Sequence, residues 1–135
     1  MTRTDDKPLR IAPRIKAAPK IRQLYWCDFP LDAHLPEFWK TRPVLIVSYR
    51  NTLGGVVTVI PCSTVDQSGN EWAVKLSMAL SEGEINWAIC DKLASAAVSR
   101  LSLYPGPIKR LPEDEFNQVL GKILKWLPKP PQPPT

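Results

Sequence analysis

Hydrophobic positions along this chain follow two rhythms. From Gln23 to Asp91 they come in short alternating or continuous runs, and from Leu111 onward they return every third or fourth residue. The first rhythm predicts strands. Gln23–Phe29 (QLYWCDF) is aromatic and alternates. Pro43–Ser48 (PVLIVS) is a continuous β-branched run suited to a buried strand. Val56–Pro61 (VVTVIP) is its returning partner, Glu71–Leu76 (EWAVKL) alternates as a half-exposed strand, and Asn86–Asp91 (NWAICD) is a further strand. Turn chemistry separates them: NTLGG at Asn51–Gly55, DQSGN at Asp66–Asn70, SEGE at Ser81–Glu84 and PGP at Pro105–Pro107. Pro30–Thr41 predicts a long loop, and Ala94–Leu103 fits either a short helix or a strand. In the second rhythm Phe116, Val119, Leu120, Ile123, Leu124 and Leu127 share one helical face. Pro112 with Glu113, Asp114 and Glu115 suits the first turn, and Pro128 stops the helix. Short strands with frequent turns followed by one amphipathic helix predict a mainly β fold. The expected form is a small antiparallel barrel or sandwich, with the helix over an open end or on a face.

Prolines mark the limits of that unit. Pro8, Pro13 and Pro19 punctuate the start, and KPPQPPT predicts an extended, unpacked end. The expected organisation is a basic, flexible arm over residues 1–21, a folded domain over 22–128 and a proline-rich tail over 129–135. Charge sharpens the division. Of the net charge of +5, all is carried by residues 1–22, with seven basic and two acidic groups, while the remainder is balanced. Such an arm attracts nucleic acid or any acidic partner without sequence preference, or is simply a solvated extension.

Composition narrows the chemistry. The 135 residues have the apolar and charged fractions of a soluble globular domain, and no apolar run approaches membrane-helix length. No basic-then-apolar leader opens the chain. The three cysteines, Cys27, Cys62 and Cys90, have no CxxC spacing, which disfavours a disulfide framework or zinc site and points to a reducing cytoplasm. One histidine, His34, excludes any mechanism needing two. Of the five tryptophans, Trp26, Trp87 and Trp126 are expected in the core. Trp39, in the long loop, is either a stacking platform for an unpaired base or a loop anchor.

Several segments, in order, resemble the PemK/MazF family of type II toxin–antitoxin toxins, nearer its PemK/Kid branch. They are LYWCDFP, TRPVLIVS, VVTVIPCST, WAICDK followed by SRL, and the closing FNQVLGKILKWL. The resemblance covers about residues 22–128, and its specificity lies in order, spacing and the terminal helix together. It implies a compact SH3-like barrel forming a two-fold dimer. It also implies a cytoplasmic, sequence-specific endoribonuclease that cuts single-stranded RNA, usually mRNA, with no metal or other cofactor, and is neutralised by a cognate antitoxin.

RNA cleavage by the 2′-hydroxyl needs a base for the 2′ proton, an acid for the departing 5′ oxygen, and a cation or donor for the phosphorane. By resemblance, Arg42 is the family arginine of the RP step, a charged fork suited to the scissile phosphate. Ser63 in IPCST stands where threonine is usual and either donates to a phosphate oxygen or caps a turn, with Thr64 the alternative one register on. Glu37, five residues before Arg42, either orients it or acts as base. His34 shares that loop, although the register that aligns Glu37 puts Pro36 at the family's histidine position. Asp91 matches the aspartate of the family's CDQ motif, a base candidate or a turn acceptor. Around it the chain departs from the family: Ile89 replaces an arginine, Lys92 a glutamine, and Ala94 and Ser95 a basic residue and threonine. Lys92 restores one cation, and Arg100 matches a basic residue near RNA or the dimer seam. These departures keep open a second reading, a module that binds RNA or a protein target such as gyrase without cleavage.

Overall fold

The computed structural model describes residues 7–103 and 105–133; residues 1–6 of the arm and 134–135 of the tail lie outside the described residues. Its strands are β1 (Leu24–Phe29), β2 (Lys40–Ile46), β3 (Val56–Ser63), β4 (Ala73–Lys75), β5 (Trp87–Ile89), β6 (Ala94–Ala97) and β7 (Leu101–Ser102), and helix α1 spans Glu113–Trp126. All strand pairs are antiparallel, in the order β4-β5-β3-β2-β1-β7, with β6 also on β3. β3 serves two neighbours on one edge, its start pairing with β6 and its end, Cys62 and Ser63, with β5. A 3-10 turn, Val98–Arg100, carries the chain from β6 on β3 to β7 on β1. No ladder joins β6 to β7 among the described residues, and the chain passes between them through this turn. The stretch left open between helix and strand is thus two strands with a helical turn between them.

The sheet buries both faces, which explains why PVLIVS is continuous rather than alternating. Inside the curl lie Tyr25, Cys27, Val44, Ile46, Val57, Val59, Ala96, Val98 and Leu101. The opposite face carries Leu24, Leu45, Ile60, Cys62, Val74 and Ala88 against Leu111, Phe116, Val119 and Ile123 of the helical segment. Successive residues of one strand therefore feed different cores, as the pleat requires. The helix opens with Glu113, Asp114 and Glu115 and closes near Lys125, charges that suit its dipole. Glu115 also accepts from Ser77 N–H at 2.7 Å and from its hydroxyl at 2.5 Å, tying the loop after β4 to α1. No helix among the described residues is long and apolar enough to cross a membrane.

Two expectations are corrected. Trp126 is not core: it is 41% exposed, as are Leu124 at 63% and Leu127 at 38%, because α1 buries a narrower stripe than its sequence offers. The arm does not extend freely throughout. From Arg10 it lies on the domain, with Ile15 buried in the inner core, Arg10 donating to the Gly54 carbonyl at 3.0 Å, and Asn51 donating to the Pro19 carbonyl at 3.0 Å. An arm of basic residues gives little warning that one isoleucine among them fills a gap in a core.

Candidate active site

The long β1–β2 loop and the β5–β6 turn face each other at one end of the curled sheet. Between them is a cleft of about 670 Å³ that takes in His34, Glu37, Asp91 and Lys92, floored by apolar groups including Phe38 and Pro61. Their presence there follows from local structure. Phe29, the last residue of β1, meets Phe38 with ring centroids 6.1 Å apart, which folds the loop back over the barrel end. Within the loop, Glu37 and His34 clasp each other: the Glu37 carboxylate accepts from His34 N–H at 2.6 Å, and Glu37 N–H donates to the His34 carbonyl at 2.8 Å. The carboxylate of Glu37 is thereby used to shape the loop, and the His34 ring remains exposed. Lys40, at φ +58°, then turns the chain into β2.

Asp91 lies two residues past the end of β5, in a turn closed by Lys92 N–H donating to the Ile89 carbonyl at 3.1 Å. Its Oδ2 lies 3.3 Å from Lys92 Nζ. Its Oδ1 is buried and has no hydrogen-bond partner among the described residues. The side chain of Asp91 is 16% exposed and that of Lys92 49%, so the carboxylate is sheltered beside a cation that reaches water. A half-satisfied buried carboxylate is energetically costly unless something else uses its free lone pairs.

Arg42 stands one ring behind the cleft. Its guanidinium lies over Phe38 at 5.8 Å from the ring centroid, and Nε donates to the Trp39 carbonyl at 3.1 Å. It makes no ion pair among the described residues, which leaves its terminal nitrogens free for an anion. Trp39, 39% exposed, is covered by Lys40 with Nζ 5.2 Å from the ring centroid.

The remaining sequence-derived candidates lie elsewhere. Ser63 does not line the cleft; it is 8% exposed, and its hydroxyl accepts from Val65 N–H at 3.1 Å, the turn-capping alternative. Thr64 is exposed beyond the end of β3. Arg100, on the 3-10 turn, donates to the Asp28 carbonyl at 2.9 Å, while Arg14 donates both to the Arg100 carbonyl at 2.9 Å and to Asp28 Oδ2 at 2.8 Å. Thr41 donates to the other oxygen of Asp28 at 2.7 Å. These bonds, that from Thr41 foremost, hold the Asp28 carboxyl below its ordinary range. Burial pushes the thiols of Cys27, Cys62 and Cys90 up to about 12, so none supplies a thiolate at neutral pH. Phe38 and Pro61 are the site residues the sequence reading passed over. For the first, the loop also carries Leu31, Leu35 and Trp39, so composition alone did not single it out.

A family model for the PemK-like, MazF-like toxin of type II toxin–antitoxin systems matches residues 20–127, spanning both walls of this cleft. The chain belongs to that family. No curated protein matches it. Among solved structures it resembles MazF from Deinococcus radiodurans, with 22% identity over 82% of this chain and 96% of that one, at a TM-score of 0.66. A MazE-MazF structure from the same organism is 21% identical over 82% of this chain and 95% of that one, at 0.61. An endoribonuclease in complex with its cognate antitoxin, from a mycobacterial species, is 21% identical over 84% of this chain and 100% of that one, at 0.59. The PemK/MazF fold is thus common to all four: a mainly β, antiparallel sheet with a C-terminal helix.

Proposed function

We propose that this toxin is a metal-independent endoribonuclease that cuts single-stranded RNA, chiefly mRNA, in the cytoplasm. The observation that carries the reading is Asp91: a sheltered carboxylate with one free oxygen and one adjacent cation, in the cleft that His34 also faces. The Asp91 carboxylate takes the proton of the 2′-hydroxyl through its more accessible side beside Lys92, the resulting oxygen attacks phosphorus, and the 5′ oxygen departs with a proton handed on by the His34 side chain. The products are a 2′,3′-cyclic phosphate and a 5′-hydroxyl. Lys92 and the Arg42 guanidinium carry the negative charge that builds on the phosphoryl oxygens. The Phe38 ring gives an unpaired base a surface to rest on. Glu37 positions His34 through the loop clasp. A second copy of the chain completes the groove as a homodimer, and a cognate antitoxin restrains it; the solved MazE-MazF structure and the endoribonuclease in complex with its cognate antitoxin support such a partner.

A second reading has its own support. Ile89, 5% exposed, occupies the position where the PemK branch has an arginine, and Arg42 reaches the cleft only past Phe38. That arrangement suits a module that holds RNA, or a protein target such as gyrase, without turnover. Incubation with mixed-sequence RNA in excess chelator separates the two. Cyclic-phosphate ends made by the wild type and absent with Asp91→Asn support the nuclease. Retarded but intact RNA supports the binding module, and neither cleavage nor retardation overturns both RNA readings.

A further inference from the structure

A second groove, of about 490 Å³, runs between β4 and α1 and shares no residue with the cleft. Its walls are Ala73–Lys75 on one side and Gln118, Gly121, Lys122 and Lys125 on the other. β4 is an edge strand. Leu76 N–H donates to the Asn86 carbonyl and Cys90 N–H to the Trp72 carbonyl, so residues 72, 74 and 76 turn their backbone groups toward β5. By the alternation of an antiparallel ladder, Ala73 and Lys75 turn theirs outward. The N–H of Ala73 is taken by the Asn70 carbonyl. That leaves the Ala73 carbonyl and both backbone groups of Lys75 as an unused strand edge.

Gly121 is the second observation. A glycine inside a helix is destabilising relative to alanine, so it needs a reason. Packing within the chain supplies none, because a Cβ built there meets nothing within 4 Å. What Gly121 does is leave the helix backbone bare where it faces the groove beside β4. The third observation is charge. Lys75, Lys122 and Lys125 converge on the groove and none makes an ion pair among the described residues. They form a local basic patch on a domain whose charges cancel as a whole.

We infer that this groove receives an extended acidic segment of a partner protein, which adds a strand to β4 and passes over Gly121. The backbone of that segment pairs with Lys75 and the Ala73 carbonyl, and its carboxylates reach the three lysines. An extended peptide fits better than nucleic acid because the edge offers a carbonyl acceptor as well as a donor, and a phosphodiester backbone has no N–H to give it.

The test uses the full chain and a short fluorescent peptide of alternating glutamate and valine, followed by anisotropy. Wild type binds it. N-methylation of every second peptide residue keeps the charge but removes the backbone donors, and weakens binding at least tenfold, about the discrimination expected for lost directional bonds. Lys75→Glu with Lys125→Glu does the same. Gly121→Gln places a strong helix former in the groove, so the melting temperature holds or rises while peptide binding falls about tenfold. Arg10→Glu, outside the groove, leaves peptide affinity within about twofold at moderate salt. Equal binding of the N-methylated peptide, unchanged binding by Gly121→Gln, or no binding at all overturns the inference. So does an oligouridylate that displaces the peptide and depends on the same lysines, which would make nucleic acid the occupant.

Discussion

Two aspartates sit beside cations in this molecule, and their surroundings differ in one respect. Asp28 has both oxygens engaged, by Thr41 on one side and Arg14 on the other, and the Arg100 guanidinium bonds to its carbonyl. Asp91 has one oxygen near Lys92 and one, buried, with no partner among the described residues. The more exposed Asp28 is the saturated one, and the sheltered Asp91 is left incomplete. Saturation marks a carboxylate that joins pieces of the chain, here the arm, β1, β2 and the 3-10 turn. Incompleteness in a sheltered place marks one held ready for something not in the chain.

Substitutions sharpen that contrast. Asp91→Asn keeps the shape and removes the base, so RNA cleavage falls by about 10²–10⁴-fold with the melting temperature unmoved. A stability loss as large as the activity loss would put Asp91 in the same class as Asp28. Arg42→Ala lowers the cleavage rate about 10²-fold if its free guanidinium nitrogens meet the phosphorane, and Arg42→Lys recovers only part, since the fork is lost. An unchanged rate would leave Lys92 as the sole cation of the site. Ile15→Ala, which loosens the arm that brings Arg14 to Asp28, costs about 2 kcal/mol in chemical denaturation and leaves kcat near wild type. Asp28→Asn costs about 0.5 kcal/mol, as befits a surface cluster. Because the Asp28 carboxyl is held below its ordinary range, its contribution is present above the unfolded pKa and vanishes as pH falls through the lowered folded value. The melting-temperature gap between wild type and Asp28→Asn is therefore steady from pH 7 to about 4 and closes below that.

Local patterning made much of the fold legible. The aromatic alternation of Leu24–Phe29, the β-branched run before Ser48 and the helical spacing after Leu111 each appear as elements, because each matches the face it buries. Ala94–Leu103 stayed ambiguous for a physical reason: it is two short strands around a 3-10 turn, and no single period describes it. The site was legible in part. Glu37, His34, Asp91 and Lys92 meet in one cleft although Glu37 and Asp91 stand far apart in the sequence. For Ser63 the structure takes the turn-capping reading of the two the sequence offered, and Arg100 is engaged by the Asp28 carbonyl 72 residues away, a bond no local pattern announces. The seat of Ile15 was invisible for the same reason, since a single apolar residue in a polar arm has no period.

That seat has a consequence for the birth of the protein. The arm is synthesised before the strands it docks on, yet Arg14 bonds to a carbonyl 86 residues downstream, and Ile15 shares its core with Val98 and Leu101. That segment can therefore dock only once Arg100 and Leu101 have been made, although it precedes β1 in the chain. A chain that stopped short of β7 would keep this basic segment undocked and open to any polyanion nearby.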